Sequence, residues 1–227
     1  MGKIAFSVCG LDLYWFGLVI ALSVLIAFVF ISIQAVISKK SLTVVLDLTV
    51  YSIPAALICA RVYYVLANWN LYKDAPLEGL YLWRGGLAIY GAIIGFTAAF
   101  YIYCRLNKEP FGSWLDLFTP GLALGQAAGQ WANLINQEAF GYPTGLPWGI
   151  YIDFACRPSG FEQFDYFQPV FLYESLLNFS LFILLLIMAY INRKRRFRPG
   201  WAFLLYLLFF VGGHYFFEGL RMDLDLP

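Results

Sequence analysis

Charge is what this sequence has least of. Asp, Glu, Lys and Arg make up 13% of its 227 residues, against 61% hydrophobic side chains, where a soluble domain carries about 25% charged residues. A mean hydropathy of +0.70 points the same way. A wholly water-facing surface is thereby excluded, and much of the chain must face lipid. Histidine occurs once, and the four cysteines, Cys9, Cys59, Cys104 and Cys156, form no CxxC. Zinc-type ligand spacing is therefore absent, and all four thiols are read as unpaired. Neither sign of charge dominates, the net being +1, so net charge identifies no partner.

Long apolar runs are what the sequence does have. Six transmembrane spans are expected, at about 14–36, 46–67, 86–104, 113–134, 168–191 and 200–220, in one polytopic domain covering 1–227. The first run is too long for a signal-peptide core and lacks a cleavage site, so it stays as a helix. Cys9 precedes that run and is not a lipidation cysteine of the chain itself. Nine of the fifteen basic residues fall on alternate loops: Lys39, Lys40, Arg105, Lys108, Arg193, Lys194, Arg195, Arg196 and Arg198. Those loops belong inside. The N-terminus, loop 68–85 and an outer loop region of about 137–167 are then outside. A basic cluster such as NRKRRFR elsewhere reads as a nucleic-acid patch. Between two spans it anchors topology on anionic lipid, and no nucleic acid partner is expected.

The stretch GQWANLINQEAFG (129–141) closes an apolar run yet carries Gln130, Asn133, Asn136, Gln137 and Glu138. Read as one helix from Gly121 to Gln137, it sets a glycine strip (Gly121, Gly125, Gly129) beside a strip of amides. The glycines let another helix approach closely. The amides cannot face lipid without losing hydrogen bonds. Bonding between neighbouring helices accounts for one or two of them, less readily for five. The last span repeats the pattern with His214, Glu218 and Arg221 on one face. The second holds Arg61 with Tyr64 and Asn68, and the fifth opens with Gln168 and carries Tyr173, Glu174 and Asn178. Ionisable groups inside spans are rare and by default functional. One polar cavity, open to the outer side and suited to an anionic, hydrogen-bonding ligand such as a phospholipid head group, is the expectation. Glycines also mark WRGGLAIYGAIIG (83–95): Gly85 and Gly86 for close backbone approach, Gly91 and Gly95 for helix packing. Tyr90 there is at its simplest a buried tyrosine.

Collinear motifs resemble the prolipoprotein diacylglyceryl transferases of bacterial inner membranes. That family's signature runs Gly-Arg-x-Gly-Asn-Phe-x-Asn-x-Glu-x-x-Gly, and Gly129, Asn133, Asn136, Glu138 and Gly141 stand at its positions. YWFGLVIAL (14–22), ALICARVYYVLANW (56–69), WRGGLAIYG (83–91), LPWGIYID (146–153), QPVFLYE (168–174) and FFEGLRMD (216–223) match in order and spacing. The chain departs from the pattern at Gln130 and His214, where arginines are expected, and at Phe16, Tyr90, Ala132 and Gln168. The family has seven spans; six are read before the sequence stops at Pro227.

The resemblance implies an all-α polytopic membrane protein of the bacterial cytoplasmic membrane, with its N-terminus outside. It implies transfer of the diacylglyceryl group of phosphatidylglycerol to the thiol of a lipobox cysteine in a prolipoprotein. A thioether forms, glycerol phosphate leaves, and no metal or cofactor is needed. The rival reading is a paralogue that binds phospholipid or lipoprotein precursor without transfer. A transporter reading would call for an inverted repeat, and none is visible. For phosphate, Arg61 and Arg221 are the candidate cations, with His214 if protonated and Gln130 as an uncharged donor. Candidate bases for the thiol are His214, Glu218 and Glu138, with Tyr90 further out. Asn133 and Asn136 would position the head group, and Gly141 would let the backbone turn beside it.

Overall fold

In lipid, a chain must satisfy its backbone hydrogen bonds within each segment, and helices do so locally. The computed structural model of the protein follows that rule. It describes residues 4–8, 11–73, 77, 79, 81, 86–195 and 197–223, with backbone only at 6–8, 11–12 and 192–195. Lys3, Cys9, Trp83, Arg84, Gly85 and Arg196 lie outside the described residues.

A short hairpin of β1 (Ile4–Val8) and β2 (Leu11–Tyr14) leads into α1 (Trp15–Ile37). Then come α2 (Leu42–Ala67), the single turn α3 (Trp69–Tyr72), α4 (Ile89–Leu106), α5 (Phe111–Gly129) and the short α6 (Ala132–Asn136). A second two-residue ladder, β3 (Ile150–Tyr151) with β4 (Tyr166–Phe167), precedes α7 (Val170–Arg195) and α8 (Trp201–Glu218). Helices dominate, as expected, and the two small ladders are additions the hydropathy does not announce.

Among the described residues, five helices are long and apolar enough by length and composition to cross a membrane: α1, α2, α4, α7 and α8, the candidate span in α7 being Val170–Ile191. The expected fourth span is α5, which is not among them. Asp116, Thr119, Pro120, Gln126 and four glycines dilute its apolar character. The single helix expected over 121–137 is corrected. α5 ends at Gly129, and Trp131 N and Asn133 N bond three residues back, to Ala128 O and Gln130 O at 3.3 and 3.1 Å. Gln137 then turns left-handed at φ 57°, so α6 is a separate short helix.

The chain divides into two compact units. In the unit of residues 1–31 and 115–227, the glycines of α5 seat it on α1. A Cβ at Gly125 would sit 2.9 Å from Ala27 Cβ, and one at Gly129 would sit 3.3 Å from Ser23 Oγ. Asp116 accepts hydrogen bonds from Gly200 N (2.8 Å), Ala202 N (3.0 Å) and Phe203 N (3.3 Å). Those first-turn amides have no partner inside α8, and α5 supplies one. Phe140, Ile152 and Phe167 form a fully buried core under the β3–β4 ladder.

In the unit of residues 32–114, α4 packs on α2. Gly91 and Gly95 make the close face the sequence suggests: a Cβ at either would collide with Cys59 to Tyr63 or Ala55 to Cys59 of α2. Asp47, inside a span, is met by the Tyr103 hydroxyl at 2.7 Å. Lys40 donates to Ser113 Oγ at 2.8 Å and lies over the Trp114 ring. Among the described residues, Cys59, Cys104 and Cys156 are unpaired thiols.

Candidate functional site

The break between α5 and α6 sends the polar side chains of 130–138 in different directions. Gln130 donates to Glu174 of α7, 44 residues away. Asn133 donates to Gln130 Oε1 at 2.7 Å, so an amide–amide–carboxyl chain runs from α6 through the break into α7. Glu174 is 7% exposed, and its second oxygen, Oε1, is buried without a hydrogen bond among the described residues. One turn earlier on α5, Gln126 hydrogen-bonds Tyr206 of α8.

Further along, Asn136 donates to Glu138 at 3.2 Å at the surface. Gln137 closes a reciprocal pair with Asp153: its amide nitrogen donates to the carboxylate at 3.0 Å, and its oxygen accepts Asp153 N–H at 2.8 Å. Gly141 N donates to Gln168 O at 2.8 Å. A Cβ at Gly141 would sit 2.9 Å from Leu220 O, so the missing side chain is what lets the segment after α8 pass.

That segment carries a cation of the candidate site. Arg221 donates through Nε (3.1 Å) and Nη2 (2.7 Å) to the carboxylate of Asp223. Asp223 also accepts Ala139 N–H at 2.9 Å, and Met222 N donates to Phe140 O at 3.0 Å. Ala139 is left-handed, φ 53°, a conformation costly for a non-glycine residue. It is held from both sides, its carbonyl accepting Phe171 N–H at 2.9 Å. Burial would raise the Asp223 carboxyl, but the Arg221 guanidinium and the Ala139 amide outweigh it and hold the group below the usual carboxylate range. Burial likewise works against the Arg221 charge, and Asp223, Glu174 and Glu138 overcome it, so Arg221 is held above its ordinary value. The Arg221 charge acts on the Glu174 carboxyl as well. Gln130, Asn133, Glu174, Arg221 and Asp223 therefore make one cluster. His214 Nε2 lies 3.9 Å from Glu218 Oε2 one turn on, and its ring stacks on Phe210.

Arg61 and Tyr90 belong to the other unit. Arg61 is 4% exposed. Its Nε donates to Gly79 O at 2.8 Å and its Nη1 to Gly86 O at 3.0 Å, with the Tyr64 and Tyr72 rings beside it. Gly86 has φ +73° and lies against the Tyr64 ring, where a Cβ would collide. Tyr90 opens α4, 53% exposed, its ring tilted against Tyr63; the buried tyrosine of the simplest reading is corrected. Among the described residues no three His, Cys, Asp or Glu side chains converge as metal ligands do.

Residues 3–226 match the family described as prolipoprotein diacylglyceryl transferase. The chain belongs to that family. Curated relatives named phosphatidylglycerol–prolipoprotein diacylglyceryl transferase include the protein of Trichormus variabilis, 39% identical over 98% of this chain and 79% of the relative. The protein of Parasynechococcus marenigrum is 40% identical over 98% and 81%, and that of Finegoldia magna 39% over 98% and 85%. As a diacylglyceryl transferase, the chain shows what two of its signature positions do here. Gln130 supplies an uncharged donor to Glu174, and His214 Nε2 lies 3.9 Å from Glu218 Oε2. Reading the sequence alone placed Glu174 among the polar groups of the expected cavity without a role, and passed over Asp223. Both stand inside matched motifs, QPVFLYE and FFEGLRMD, and that was the available signal.

Proposed function

We propose that this chain moves the diacylglyceryl group of phosphatidylglycerol onto the thiol of a lipobox cysteine in a secreted prolipoprotein. The family match over residues 3–226, together with relatives at 39–40% identity, carries this reading. The thiol sulfur forms a bond to the glyceryl carbon, the bond from that carbon to the phosphate oxygen breaks, and glycerol phosphate leaves with the electron pair. The thiol proton passes to a base.

Arg221 supplies positive charge to the phosphate and to the leaving oxygen, the kind of preorganised electrostatics that dominates such steps. Asp223 fixes the plane of its guanidinium. His214 takes the thiol proton, since a free cysteine titrates near ~8.5 and needs a base. Glu218, 3.9 Å away, stabilises the resulting imidazolium. Gln130, Asn133 and Asn136 offer uncharged donors to the head group.

The protein is a multi-pass membrane protein. Its place in the bacterial cytoplasmic membrane with the N-terminus outside is supported by the basic residues at 39–40, 105–108 and 193–198. α5 completes an even number of crossings: at 19 residues it is about 28 Å long, close to the ~30 Å hydrocarbon core.

The test is transfer of labelled diacylglycerol from phosphatidylglycerol to a lipobox peptide by the purified protein in phospholipid nanodiscs. A thioether-linked peptide is expected. Lipid retained with no thioether product would overturn transfer and favour the phospholipid-binding paralogue.

A further inference from the structure

The segment between α6 and α7 presents two faces of opposite character. Along the β3–β4 ladder, Ile150 pairs with Phe167, and Phe167 belongs to the fully buried core. The next pair, Tyr151 and Tyr166, both point away from that core; each is more than half exposed, with ring centroids 6.2 Å apart. Alternation in a strand puts them on the opposite face. Phe154 (69% exposed), Trp148 (52%) and Tyr142 (55%) expose large rings in the same segment. In a segment bathed by water alone, five such rings within 25 residues form an apolar surface with no occupant.

Two observations decide the occupant. First, one of these rings is tied to a candidate span. Trp148 Nε1 donates to the Tyr173 hydroxyl at 3.0 Å, and Tyr173 stands in the first turn of α7, whose candidate span begins at Val170. Only two residues separate β4 from that span. Trp148 is therefore tied to the level at which α7 enters lipid. Tryptophan and tyrosine collect at that level because their rings are apolar and their tips polar. Second, the segment offers no other means of attachment by charge. Its one basic residue between 137 and 167 is Arg157, and its guanidinium is spent on Ile152 O, Glu162 O and Asp165.

We infer that residues 142–166 do not stand free in the aqueous phase: their aromatic face is seated in the head-group region of the leaflet that α7 enters. The partner is a lipid surface, held by ring burial and not by charge. Seating there fixes the ladder, and through the Gln137–Asp153 pair the end of α6, at head-group depth.

Site-directed spin labelling of the full chain in nanodiscs of phosphatidylethanolamine and phosphatidylglycerol tests this. The native cysteines are replaced, and single labels are placed at Phe154→Cys and Tyr166→Cys, with the exposed polar Gln163→Cys as a reference. Labels at 154 and 166 should be relaxed more strongly by oxygen than by a water-soluble nickel chelate, with the reverse at 163. High salt should leave the difference unchanged. Nickel-dominated relaxation at both 154 and 166 would overturn the inference. So would protection that develops only when a lipobox peptide is added, which would assign the face to the precursor. Transfer activity is not part of the readout, so lipid seating and the transfer reaction stand or fall separately.

Discussion

Asp223 takes two hydrogen bonds from Arg221 and one from the left-handed Ala139, so one carboxylate sets both the cation of the site and the backbone after α6. Hydrogen bonds to charged groups are worth about 1.5–3 kcal/mol. Asp223→Asn should therefore lower kcat/KM for transfer about tenfold to a hundredfold, with the larger part in kcat if Arg221 works on the leaving oxygen. The pH dependence has a fixed sign. A carboxyl held below its usual range stabilises the fold above its unfolded-state value, near ~3.9. That contribution is lost as pH falls through the lower folded-state value. Thermal unfolding in detergent should show a loss of stability below about pH 4, and the acid-side slope should be shallower in Asp223→Asn. Arg61 gives a contrasting expectation. It is buried on two backbone carbonyls of residues 79 and 86, so Arg61→Ala should cost about 2–5 kcal/mol of stability. Arg61→Lys should recover only part of that, because an ammonium cannot reproduce the guanidinium fork. At this scale the sequence marks most of these side chains as polar groups in the wrong solvent. It could not assign their partners: the amide of Gln130, read as an uncharged donor for phosphate, also reaches Glu174.

The glycines of α5 and α4 are legible because a helix repeats every 3.6 residues, so spacing by four is spacing along one face. They seat α5 on α1 and α4 on α2. Gly125→Leu should wedge α5 from α1 and lower the unfolding temperature, at a cost of about 1–3 kcal/mol or more. The same change at Gly145, where nothing lies within 4 Å of a built Cβ, should be close to neutral. The end of α5 was not legible. Gln130, Trp131 and Ala132 are all compatible with helix, and no glycine or proline marks the stop within them. The break is imposed from outside, by the bond to Glu174 and by the tie of Trp131 Nε1 to Ser175 Oγ at 3.2 Å. Asp116 was passed over for the same reason. On its own helix it is an isolated charge; its work is on the first turn of α8, 84 residues later.

Across the whole molecule, the distribution of basic residues makes a prediction that no single helix can. A cysteine placed at Glu162 should react with an impermeant maleimide added to intact cells, and one at Lys108 should not, in a background without the native thiols. Equal labelling at both would mean that α5 does not cross. Composition alone determined that this is a multi-pass helical membrane protein, because apolar segments in lipid have no water to satisfy their backbone and must do so within themselves. Collinear motifs determined its family, since residue identity and order survive without any knowledge of distance. What only the tertiary structure decided is pairing. The bonds from Gln130 to Glu174 and from Ala139 to Asp223 join positions 44 and 84 residues apart. A hydrogen bond forms over about 3 Å, a distance set by how helices pack and turn, and so by the fold instead of by the spacing of letters along the chain.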